Sequence, residues 1–142
     1  MSRFVPAILA SVLTVVAAPA AMAAPADTLE CPAAAPAAWH VGDAPLAGVE
    51  VLPAPEGAKI DETAPPSLVP DEESLRDGTL HQAWVMNGDG PGWAFFVDCH
   101  YAGSDRLLRL DAHAMKRCER TITHFSKSSG ASRDSQQRML CK

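Results

Sequence analysis

Polar and apolar positions alternate most clearly from Trp93 to Tyr101. Trp93, Phe95, Val97, Cys99 and Tyr101 take the odd places, with Asp98 and His100 between them. A period of two predicts a half-buried antiparallel strand. Leu80 to Met86 carries the same period, and the intervening Asn87-Gly88-Asp89-Gly90-Pro91-Gly92 has turn composition. Joining the two stretches as a hairpin sets Trp84 opposite Phe95, Met86 opposite Trp93 and Leu80 opposite Cys99 on one face. His81 then meets Asp98 on the other. A slip of one residue mixes the faces, so the pattern favours this register. After a second turn, Ala102-Gly103-Ser104-Asp105, the stretch Arg106 to Leu110 pairs back, with Leu108 beside Cys99, Leu110 beside Val97 and Arg109 beside Asp98. Residues 111–117 read as a connection, Cys118 to Phe125 as another strand and Gln136 to Cys141 as its weaker partner. The expectation is a mainly β protein, an antiparallel meander of about five strands.

The N-terminal half reads differently. Residues 25–70 hold nine of the twelve prolines, which remove donors and restrict the preceding residue. Val49-Glu50-Val51-Leu52 is one short strand candidate. Pro70-Asp71-Glu72-Glu73-Ser74-Leu75 reads as a helical turn opened by Pro and acids, with Asp77-Gly78 ending it. Residues 25–79 are therefore expected as an irregular Pro-rich cover on a β core at 80–142, together one domain. Residues 1–24 have the form of an export signal: Arg3, an uncharged apolar run from Val5 to Ala18, and small residues at Ala21, Ala23 and Ala24. The run is too short to span a bilayer and Pro6 and Pro19 interrupt it, so cleavage near residue 24 is expected, with no stable membrane insertion afterwards.

All four cysteines follow that signal, and an even count in a small exported domain favours disulfides. Three pairings exist. The polar stretch Ser126 to Asp134 is turn-rich, and the midpoint between Cys118 and Cys141 falls between Ser129 and Gly130. A hairpin folded there sets Cys118 opposite Cys141, which leaves Cys31 for Cys99. No Cys-x-x-Cys is present to suggest a redox or zinc motif.

Formal charge is −5 and the isoelectric point is near 5.4. An acidic chain argues against non-specific nucleic-acid binding, which depends on clustered cations. Five histidines are dispersed without His-x-x-x-His, and no Gly-x-Ser-x-Gly occurs. No catalytic residue, metal ligand or cofactor is assigned. His81, Asp98 and His100 on one sheet face carry the alternative of a small envelope metal-binding protein or enzyme, although cross-strand charge pairing alone explains such a cluster. Trp39 in the irregular segment, the cluster of His81, Asp98, His100 and Arg109, and the polar loops with Asn87, Asp89, Lys127 and Arg133 form the candidate partner-binding surface.

Cys31-Pro32, Leu68-Val69-Pro70-Asp71, Trp84, Trp93 leading to Cys99-x-Tyr101-x-Gly103, Cys118 and Cys141 resemble a group of small exported proteobacterial proteins of unknown function. Some lie near type VI secretion genes and are similar to periplasmic immunity proteins. That resemblance implies a periplasmic inhibitor of a secreted, cell-wall-targeting toxin, such as an L,D-transpeptidase-like effector. A general envelope accessory protein is the remaining expectation.

Overall fold

The computed structural model describes residues 28–57, 66–86, 92–132 and 134–142. The expected export signal at 1–24 and most of the expected 87–92 turn lie outside these residues. The described chain forms, in order, β1 (Leu29–Glu30), a 3-10 turn (Ala37–Trp39), β2 (Leu46–Pro55), β3 (Glu72–Arg76), β4 (Thr79–Val85), β5 (Trp93–Tyr101), β6 (Leu107–Asp111), β7 (Arg117–Ile122), β8 (Phe125–Ser126), β9 (Gly130–Ala131) and β10 (Gln137–Cys141). They build a five-stranded sheet of order β1-β10-β7-β4-β3, a three-stranded sheet β2-β5-β6 and the small β8-β9 hairpin. Every named pairing is antiparallel.

The mainly β, antiparallel, disulfide-stapled fold matches the alternation, and two registers match it residue by residue. Between β5 and β6, Cys99 faces Leu108, Asp98 faces Arg109 and Val97 faces Leu110. Between β7 and β10, Cys118 faces Cys141. The disulfides are Cys31–Cys99 and Cys118–Cys141, with Cα separations of 5.9 and 4.0 Å. Two closed disulfides mark a chain that folds under oxidising conditions. No helix among the described residues is long and apolar enough to cross a membrane.

The expected β4–β5 hairpin does not form. β4 lies between β3 and β7, whereas β5 lies between β2 and β6 in the other sheet. Trp84, Met86, Cys118, Met139 and Cys141 instead meet Val49, Val51, Val97, Cys99 and Tyr101 across a shared core, with Phe95 and Leu108 packed against it. An apolar face needs a cover, and a facing sheet supplies one as well as a neighbouring strand does. Fully buried Val51 and Val97 each contribute about 1.5–3 kcal/mol by leaving water.

The irregular cover is also corrected. Val49–Leu52 is the middle of a ten-residue strand, β2, whose prolines are tolerated because it lies at a sheet edge. The helical turn expected from Pro70 is strand β3, and Asp77-Gly78 is the two-residue turn into β4. Both turn residues have positive φ, 48° and 73°, which suits the twist of a tight hairpin.

Candidate partner-binding surface

The sequence-based surface residues divide once placed. Asp98 and Arg109 do meet, through two charge-assisted bonds from Arg109 Nε and Nη2 at 2.7 and 2.6 Å. Asp98 is buried, however, so this pair is internal and not the wet outer cluster that alternation predicts. The bond to Asp98 holds the Arg109 guanidinium above its usual pKa, against the opposing pull of burial. His100 is half-buried on the same face of β5, its Nε2 at 3.7 Å from Glu50 Oε2, beyond hydrogen-bond length.

His81 does not join them. It is exposed on β4 in the other sheet, opposite Thr121 and Ser74. The His81–Asp98 pairing is therefore overturned, because the strands that carry the two residues never pair. Trp39 packs edge-on against Tyr101, centroids 5.7 Å apart, under the Arg106 guanidinium at 4.6 Å. That stack spends much of its ring on its own chain. Lys127 is exposed in the β8–β9 turn. Asn87, Asp89 and Arg133 lie outside the described residues. Among the described residues, no three His, Cys, Asp or Glu side chains gather as a metal would need.

Sequence reasoning missed an apolar groove of about 390 Å³ where the two sheets open at one end. Trp84, Val85 and the connecting residues Leu68, Val69 and Asp71 form one wall, and Pro53, Phe95 and Trp93 the other. Among the described residues, large exposed hydrophobic side chains occur at Val41, Val69, Val85, Trp93 and Leu107, and three of these five line this groove. Val69 is 83% exposed and Trp93 47% exposed. Val69, Val85 and Trp93 thus converge on one groove, whereas Val41 and Leu107 lie outside its lining.

The groove is braced. Leu68 N–H donates to Val51 O of β2 at 2.7 Å, and Leu68 O accepts from Trp84 Nε1 of β4 at 3.0 Å, so one residue ties both sheets. Asp71 N–H donates to Ala83 O, and Asp71 Oδ2 accepts from Val85 N–H at 2.7 Å. A segment held at both ends by backbone bonds keeps Val69 presented without a further ordering cost on contact.

Beside Val85 on the outer sheet face, Arg117 binds Glu72 through Nη1 and Nη2 and Glu119 through Nε. These bonds hold the carboxyls of Glu72 and Glu119 below the ordinary carboxylate value and raise Arg117 further. The one signal that pointed to the groove was Leu68-Val69-Pro70-Asp71, two apolar residues in an otherwise polar, Pro-rich connection. Compared with known protein families, curated proteins and solved structures, the chain matches none of them.

Proposed function

We propose that this protein is a small exported binding protein of the periplasm that inhibits a secreted, cell-wall-targeting partner, in the manner of an immunity protein. The observation that carries this reading is the gathering of Val69, Val85 and Trp93 around one braced groove. Exposed valine and indole side chains gathered in one groove are the kind of surface that a partner protein buries. Two disulfides and hydrogen bonds to both sheets make the surface rigid, which reduces the entropy lost on association. Inhibition is steric: a rigid block seated on the partner excludes its substrate without chemistry of its own. The sequence resemblance is the ground for the proposed class of partner, and the groove is the ground for the proposed place of contact.

The test is isolation from the periplasm of a native host, followed by mass spectrometry and binding with purified components. The expected result is one exported protein that binds directly and loses its lytic activity when bound. Recovery of no such protein across growth conditions, or a complex in which the enzyme stays fully active, contradicts the proposal.

A further inference from the structure

We infer that the groove receives an apolar side chain carried on a cationic segment of the partner protein, an inference that rests on the binding reading above. The groove itself offers apolar surface from Val69, Val85 and Trp93 and a single charge, the carboxylate of Asp71. Acids also stand at its ends. Glu56 N–H donates to Gly92 O at 2.6 Å, which sets Glu56 beside the start of β5 and the exposed Trp93. Glu72, the first residue of β3, follows Asp71, and both are exposed.

The nearest guanidinium, Arg117, is already shared between Glu72 and Glu119, so two carboxylates outweigh one cation there. Among the described residues, Lys116, whose carbonyl accepts from Met86 N–H, and Lys142, whose backbone bonds to Lys116 and Arg117, are the other cations at this end of the molecule. Among the described residues, the four acids Glu56, Asp71, Glu72 and Glu119 outnumber the three cations Arg117, Lys116 and Lys142, so the described rim around the apolar floor is net negative. Such a rim attracts a basic segment and repels an acidic one, fixing partner choice more than raw affinity. Aromatic and aliphatic anchoring at the centre with charge at the edge is the usual division of labour in a protein interface.

The experiment titrates the disulfide-intact protein with three tryptophan-free peptides that share a Leu-Phe-Val centre and are flanked by lysine, serine or glutamate. Binding is read by calorimetry and by the blue shift of the half-exposed Trp93. At low salt the lysine-flanked peptide is expected to bind about tenfold tighter than the serine-flanked one, since several weak exposed ion pairs act together. The glutamate-flanked peptide is expected to be the weakest. Salt near physiological strength narrows the spread, because these charges are exposed. Asp71→Asn lowers affinity for the lysine-flanked peptide alone, whereas Val85→Ser lowers affinity for all that bind.

Equal affinity for lysine and serine flanks overturns the cationic assignment while leaving a docking groove in place. Absence of binding by every peptide, alongside a partner that inhibits normally, overturns the groove as the site. Concentration-dependent self-association abolished by Trp93→Ser, read by sedimentation, assigns the groove to a second copy and overturns the inference. So does saturable binding to phosphatidylcholine vesicles that Trp93→Ser removes.

Discussion

Replacing either partner of the internal ion pair predicts an asymmetric loss of stability. Asp98 has a side chain only 3% exposed, while that of Arg109 is 27% exposed. Arg109 Nε and Nη2 donate to the two oxygens of the Asp98 carboxylate. Arg109→Met therefore strands an ionised carboxylate away from water, a change that costs about 3–5 kcal/mol. Asp98→Asn leaves a guanidinium that reaches solvent, so the cost is about 1–2 kcal/mol. For a domain of this size, about 4–8 °C of melting temperature accompanies each kcal/mol, so Arg109→Met is expected to lower it by about 12 °C or more. The double variant Asp98→Leu with Arg109→Met removes the stranded charge and is expected to be more stable than Arg109→Met alone. Urea melts of the parent and these three variants at pH 7 measure the differences. An Arg109→Met loss below about 1 kcal/mol, or a larger loss for Asp98→Asn, refutes the claim that burial of the carboxylate controls the pair.

Further outcomes are expected. Chain-entropy arithmetic gives about 3.4 kcal/mol for the 23-residue separation of Cys118 and Cys141 and about 4.4 kcal/mol for the 68-residue separation of Cys31 and Cys99, so denaturant melts should rank the Cys31→Ser/Cys99→Ser protein as the less stable double variant. Gly78→Ala places a side chain at a φ of 73° and is expected to cost about 1–2 kcal/mol in the same assay. Because Arg117 lowers the folded pKa values of Glu72 and Glu119, their contribution is present above the ordinary carboxylate value of 4.5 and is lost as pH falls through the lowered ones. Melts from pH 5 downward should therefore show a shallower acid decline in Arg117→Gln than in the parent protein. Val85→Ser, at an exposed position, is expected to keep stability within about 0.5 kcal/mol while weakening the partner complex, read by paired melting and binding titrations.

Alternation in β5 and β6 revealed both the strands and their register, because Leu108, Leu110 and Arg109 suit only one alignment with Val97, Asp98 and Cys99. The same evidence misled for β4. Leu80, Trp84 and Met86 show which side of the strand is buried, but a facing sheet and an adjacent strand satisfy that requirement equally. At β3, Pro70 and three acids suggested a helix start, yet the Asp77-Gly78 hairpin signal was the stronger physical constraint, since it demands two positive φ values. The groove was nearly invisible. Val69 sits in a connection and Val85 on an outer strand face, and only the closure of two sheets brings them beside Trp93.

The most direct measurement is a photo-crosslinking scan in the native host, with a crosslinking side chain placed in turn at Val69, Trp93, Val41 and Lys127. All four positions are exposed, but only the first two line the groove. The account predicts one shared protein adduct at Val69 and Trp93 and none at Val41 or Lys127. An adduct of comparable yield at Lys127 with none in the groove contradicts it.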